Sequence, residues 1–309
     1  CMVENGRVVA LPSAETEGVN EPRGVFWRPG PMPPGWAMEQ VLPTLTDTAI
    51  GYIQRRVQSA PAQPFFLYLP LTAPHTPWVP LDSLRGRSKA GRYGDFVAQV
   101  DQSVGQLLAA LDRLGIAEHT LVLFSSDNGA HWTPADQAQY AHRANAPYAG
   151  MKADLLEGGH RVPFLVRWPE QVQSGQRSEA LLCLTDVYAT LAGLTGQAMP
   201  AGSAEDSYSF LPLLQGEALP DRPPVVHHSV SGRFALRAGD WKYYPLPGSG
   251  GWTEPVGPRR PVAGDPAEAQ LYHLPSDPTE SNNRLSAEPA LADSLARLLA
   301  PYRALGWRE

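Results

Sequence analysis

Three short segments of the chain carry side chains that could act together on a charged oxyanion. They are Ala73-Pro74-His75-Thr76-Pro77, then Ser126-Asp127-Asn128-Gly129, then Lys152 with Glu157-Gly158-Gly159-His160-Arg161-Val162-Pro163. Asp127 and Asn128 offer one charged and one neutral oxygen, a donor pair that suits a hard cation such as Ca²⁺ or Mg²⁺ better than zinc. Taken alone, Asp-Asn-Gly is more often a turn than a ligand set, because Asx side chains and glycine favour turns. Two oxygens also fall short of the roughly six to eight that Ca²⁺ takes, so further carboxylates must come from elsewhere. A lone Lys152 reads as a solvated charge, but its place in a loop before an apolar strand and near a Gly-Gly pair makes it a candidate for holding an anion.

The elements around these segments suggest how they meet. Residues 64–70 and 120–125 are unbroken apolar runs, the pattern of strands buried on both faces. Between them, residues 95–114 carry Phe96, Val100, Val104, Leu107, Leu108 and Leu111 at helical spacing, with Gly115 as the stop. Strand, helix, strand predicts a parallel pair joined by a right-handed crossover. In a parallel sheet, ligands sit outside the carboxyl ends of the strands, so His75, Asp127 and Asn128 are expected at one sheet edge. A further surface helix, from Thr44 with Leu45, Ala49, Tyr52, Ile53 and Val57 on its stripe, is expected to cover the sheet. Another strand is expected over 162–168 and a helix over 185–194, with Asp186 near its start and Gly196 beyond its end. After Pro220 the texture changes to short strands at 225–230, 233–237, 241–246 and 270–274, then a helix over 288–299. The fold class is therefore α/β: an α/β/α sandwich on a mostly parallel sheet over residues 1–221, then a small α+β subdomain over 222–309.

Composition narrows the partners. The net charge of -6 is spread over 309 residues without a basic block, which argues against nucleic acid and an anionic membrane surface and leaves a small molecule. No apolar stretch reaches the roughly 18 residues of a membrane span. With only Cys1 and Cys183 there is no disulfide framework and no zinc spacing, and Cys183 reads as a core residue.

The apolar run ending in Pro64-Phe65-Phe66-Leu67-Tyr68 with His75 beyond it, Thr120 through Gly129, Lys152 with the Glu157–Pro163 stretch, and Leu271-Tyr272-His273-Leu274 leading to Asp277-Pro278 and Asn282-Asn283 occur in one order along nearly the whole chain. In order and approximate spacing they resemble the formylglycine-dependent arylsulfatase type of sulfatase, in the alkaline phosphatase-like superfamily. The resemblance implies a sulfuric ester hydrolase in which Asp127 and Asn128 are Ca²⁺ ligands, with Mg²⁺ the lesser choice. By the same resemblance, His75 and Lys152 are expected to hold the sulfate and help protonate the leaving alcohol. It implies a small-molecule or saccharide sulfate ester as partner and favours a periplasmic or extracellular setting, with the cytoplasm left open. Neither cysteine lies in the C-x-P-x-R motif whose cysteine becomes formylglycine, so the expectation is a sequence that lacks the part bearing the nucleophile and does not turn over alone. Two rival readings stand beside it: a phosphomonoester or phosphonate hydrolase of the same superfamily, and a non-catalytic fragment or pseudoenzyme that binds an anion. His131, His142, His160, His227 and His228 read as surface or packing residues, with His160 the nearest to a motif. Trp27, Trp36, Trp78 and Trp132 flank the candidate segments and are weighed as groove residues against ordinary anchoring.

Overall fold

A computed structural model describes residues 1–257 and 268–305, which divide into two compact units: residues 1–120 with 138–142, and residues 121–137 with 143 onward. In the first unit β1 (Val3–Glu4) pairs with β2 (Arg7–Val8), and β3 (Ala14–Thr16) with β4 (Gly30–Met32). Helix α1 (Val41–Ser59) packs on α2 (Gly91–Arg113). Leu42, Thr46, Ala49 and Ile53 of α1 are buried, one stripe at helical spacing. The buried face is thus turned slightly from the Leu45-Tyr52-Val57 stripe, and Thr46 is admitted because its hydroxyl donates to the Leu42 carbonyl at 2.9 Å. Helix α2 starts four residues before the expected Asp95. Its buried Asp95 carboxylate accepts the Gly86 and Ser88 amides at 2.8 and 2.7 Å, and Gln99 Oε1 accepts the Leu81 amide at 2.9 Å. These two polar side chains fold the incoming chain over the helix start. At the far end Gly115, at φ 68°, closes the helix as expected.

In the second unit β5 (Val122–Ser125) is followed by α3 (Pro134–Gln139), which ends across the unit boundary. The single turn α4 (Glu157–His160), β6 (Phe164–Arg167), α5 (Asp186–Thr195) and α6 (Leu211–Leu214) come next. Helix α5 and its terminator Gly196, at φ 65°, match the sequence reading. Strands β7 (Val225–His228), β8 (Phe234–Ala238), β9 (Trp241–Tyr244) and β10 (Gln270–His273) form one antiparallel sheet in the order β10-β9-β8-β7. Period-two alternation divides its side chains. Leu236, Tyr243 and Leu271 pack with Ala292, Leu295 and Leu299 of α7 (Pro289–Leu305), while Ala235, Tyr244 and Tyr272 pack with Leu155 on the other face. Asn283 caps this sheet, its Oδ1 accepting the Leu271 amide and its Nδ2 donating to the Ala269 carbonyl, each at 3.0 Å. The closing motif seen in the sequence is therefore an edge lock.

The parallel pair expected from residues 64–70 and 120–125 is a correction. Every ladder among the described residues is antiparallel, and β5 pairs with β6 in the register Val122↔Arg167 to Ser125↔Phe164. Residues 64–70 form no strand. Phe66 and Tyr68 are 69% and 75% exposed, so this run is not buried on both faces. An unbroken apolar run states that a segment is suited to burial, and neither its partner nor its direction follows from that. Among the described residues no helix is long and apolar enough to cross a membrane.

Candidate functional site

The antiparallel β5–β6 pair explains how distant segments meet. Because Ser125 opposes Phe164, the chain leaving β5 runs beside the chain entering β6, and Ser125 Oγ donates to the Pro163 carbonyl at 2.8 Å. The Asp127-Asn128-Gly129 turn therefore lies against α4, where the Gly129 amide donates to the Gly159 carbonyl at 3.0 Å. A Cβ on Gly129 would stand 1.7 Å from the Gly158 carbonyl oxygen, and one on Gly158 would stand 2.5 Å from two further carbonyls. The Gly-Gly pair thus serves backbone contact, which only glycine permits at this distance. One residue on, the Lys152 amide donates to the Ala130 carbonyl at 3.2 Å. Asn145 clamps the same spot, its Oδ1 accepting the Ala130 amide and its Nδ2 donating to the carbonyls of Ala130 and Gly150. The segments that carry Asp127, Asn128 and Lys152 are brought side by side in this way.

Asp127 is exposed, and Asn128 Nδ2 donates to the Gly129 carbonyl at 3.0 Å, an assignment that leaves Oδ1 as an open acceptor. The pair fits a hard cation in chemistry but not in number. Among the described residues no group of three or more His, Cys, Asp or Glu side chains could hold a metal.

His75 belongs to the first unit and is exposed on a turn anchored by Trp78. Trp78 is buried, its Nε1 donates to the Pro74 carbonyl at 3.1 Å, and its ring meets Tyr93 edge-on at 5.4 Å. Gly24 lies against this ring so closely that a Cβ would stand 1.9 Å from it. His75 Nδ1 lies 2.7 Å from the Thr76 carbonyl oxygen, a contact in which Nδ1 is the donor. Trp78 and Trp132 are 6% and 2% exposed, which makes both anchors. Trp132 also borders an open cleft of about 350 Å³ formed with Gln137 and residues 143–150.

Sequence reasoning missed the group that holds α4 in place. Lys242 is fully buried, and its Nζ lies 3.1 Å from Glu157 Oε1 and 3.1 Å from Glu280 Oε1. Arg237 Nη1 lies 3.1 Å from Glu157 Oε2, and the Glu157 amide donates to Glu280 Oε2 at 2.6 Å. Burial pushes the Glu157 carboxyl up, but Lys242, Arg237 and Arg161 together bring it below its ordinary range. Burial dominates at Glu280, which is raised despite Lys242. The lysine's position in Trp241-Lys242-Tyr243-Tyr244 did carry a signal, since it falls on the same face as Tyr244.

Beside this group the rings of His160 and His227 stand 4.2 Å apart. Burial, then repulsion from Lys242, lowers His160 to about 4 against the pull of Glu157; burial and His160 hold His227 well below 6.5. The native state therefore binds fewer protons than the unfolded chain between pH 6.5 and 4. Stability is full above about 6.5 and falls as the pH drops through that window, by at most about 3 kcal/mol from His160. Glu157 acts in the same sense and Glu280 in the opposite one. In urea unfolding at pH 7.5 and 4.5, the His160→Gln variant should lose less stability than the wild type. Equal losses would show that the imidazole pair does not carry this acid sensitivity.

The Asp127-Asn128-Gly129 turn and the Lys152 segment thus adjoin just beyond the end of β5. The sulfatase family profile matches residues 19–197, more than half of the chain, and the chain belongs to the sulfatase family. It is 31% identical over 307 residues to the N-acetylgalactosamine-6-O-sulfatase of Bacteroides thetaiotaomicron, a match covering 96% of this chain and 58% of that protein. It is 33% identical to the steryl-sulfatase of Mus musculus, over 84% of this chain and 44% of that protein. A solved structure from a study of glycosaminoglycan metabolism by Bacteroides thetaiotaomicron superposes with a TM-score of 0.76 at 30% identity, covering 87% of this chain and 55% of that one. The fold is thus the α/β, alkaline phosphatase-like one that the sequence motifs imply. The chain spans about half the length of the curated relatives it matches.

Proposed function

We propose that the chain is part of a longer sulfuric ester hydrolase that cleaves a saccharide sulfate ester to alcohol and sulfate. The observation that supports the reading is the backbone tie from the Lys152 amide to the Ala130 carbonyl, which joins the Lys152 segment to the chain two residues beyond Asn128. Asp127 and Asn128 hold Ca²⁺, with the remaining ligands and the formylglycine supplied by polypeptide outside these 309 residues. When bound, the cation supplies positive charge toward the ester oxygens, and the formylglycine hydrate supplies the nucleophile. Lys152 adds its charge to the sulfuryl oxygens, where negative charge grows as the ester bond breaks. His75 is the residue we assign to protonation of the departing alcohol, a role it performs as the imidazolium, with Nδ1–H kept on the Thr76 carbonyl and the Nε2 proton given up.

The reading is tested with 4-nitrophenyl sulfate and 4-nitrophenyl phosphate, using these 309 residues and a form extended upstream to the length of the relatives. The extended form should prefer the sulfate ester, and the 309 residues should turn over neither. Preference for the phosphate would favour a phosphomonoester hydrolase instead. Turnover by the 309 residues would contradict the need for a nucleophile outside them.

A further inference from the structure

Among the described tryptophans Trp252 alone is exposed, at 46%, and the backbone that bears it is held at several points. Its amide donates to Asp154 Oδ1 at 2.6 Å. The Thr253 amide reaches the same oxygen at 3.0 Å, and the Thr253 hydroxyl donates to Asp154 Oδ2. Asp154 is fully buried, and Oδ2 also accepts the Met151 amide at 2.8 Å. One carboxylate thus ties both sides of Lys152 to the loop that bears Trp252. Gly251 presses on the same turn, since a Cβ there would stand 2.3 Å from the Ala153 carbonyl. Ala153 itself sits at φ 85°, a conformation that favours glycine and persists only where the surroundings enforce it. The loop closes on itself through Ser249 and Gly250, whose amides donate to the Pro255 and Val256 carbonyls at 2.8 and 2.9 Å. His131, next to the Ala130 that pairs with Lys152, meets the Trp252 ring edge-on at 5.2 Å.

We propose that Trp252, braced by His131, is the stacking platform for the pyranose ring of the ester whose sulfate is held at Lys152. The inference rests on the sulfate-ester reading and adds the residue that selects the ring. An indole face buries the C–H face of a sugar, and a ring on a fixed backbone that already rests edge-on against His131 has less freedom to lose when the substrate arrives. Fixing the loop to both sides of Lys152 keeps the distance between ring subsite and sulfate subsite constant. Sulfate on a ring is thereby separated from sulfate on a flexible chain.

The test uses the upstream-extended protein and compares kcat/KM for a pyranose 6-sulfate with kcat/KM for ethyl sulfate. Trp252→Ala should lower the ratio of the two about five- to tenfold, the size expected of one aromatic contact. Trp252→Phe should lower it less than Trp252→Leu, because Leu is apolar but offers no flat face. The Phe and Leu variants decide the matter if the Ala variant loses its thermal transition. An equal ratio in wild type, Phe and Leu variants would overturn the platform while leaving sulfate-ester hydrolysis intact. Hydrolysis of neither ester by the wild type would overturn the sulfate reading, and the platform with it.

Discussion

Replacing Lys242 with methionine should destabilise the protein by about 3–5 kcal/mol, because the change leaves Glu157 and Glu280 buried around a methyl group where an ammonium had been. Arg237 still faces Glu157, but among the described residues the cation paired with Glu280 is Lys242, and the Glu280 carboxyl is already raised by burial. The effect should therefore depend on pH in a definite direction. At pH 7.5 the penalty is full; toward pH 4.5 Glu280 takes up a proton more readily in the variant, and the penalty shrinks. Adding Glu280→Gln to Lys242→Met should recover part of the loss at pH 7.5, since a neutral amide can still accept the Glu157 amide. Urea unfolding of the three proteins reads this directly. A loss under about 1 kcal/mol for Lys242→Met would mean that water or rearrangement replaces the ammonium, and that the buried group does not hold α4.

That group matters to the site because it ends at Glu157, the first residue of the turn whose two glycines receive Gly129. The sheet β7–β10 therefore presents a charged inner face to the motif loops, and α7 supplies the hydrophobic support behind it.

Much of this was legible from local pattern. Helices α2 and α5 end at Gly115 and Gly196 because left-handed terminators are written in the residue type. The four short strands after Pro220 fall within a few residues of the places set by alternation and turn residues. Asp127, Asn128 and Lys152 were legible as candidates through residue type and place in the chain. Features that depend on remote partners were not. Lys242 meets Glu157 from 85 positions away and Trp252 meets Asp154 from 98, separations over which periodicity carries no information. The same limit explains the β5 direction: the apolar run was visible, whereas its antiparallel partner β6 was set by the fold between them. Of Trp27, Trp36, Trp78 and Trp132, weighed as groove residues against ordinary anchoring by nearness in sequence, Trp78 and Trp132 are buried anchors and the other two are half-buried.

The second large effect concerns chemistry. In the upstream-extended protein, Lys152→Ala should lower kcat/KM for an aryl sulfate about 10²–10³-fold, the range for removing one group that stabilises charge developing in the transition state. Lys152→Arg should restore little, because a planar fork cannot occupy the place of a point charge set by the Ala130 tie. The thermal transition of Lys152→Ala should stay close to that of the wild type, since only the Lys152 backbone is used in the fold contacts described above. A large fall in stability would instead make Lys152 a structural residue.

Calorimetric titration of inorganic sulfate into the extended protein with Ca²⁺ present, as wild type and as Lys152→Ala, tests the central claim most directly, because it asks whether Asp127, Asn128 and Lys152 belong to one anion site. Saturable binding in the wild type that weakens at least tenfold in Lys152→Ala, and also when Ca²⁺ is chelated, is the expected result. Sulfate binding equal in both proteins, or indifferent to Ca²⁺, would contradict it.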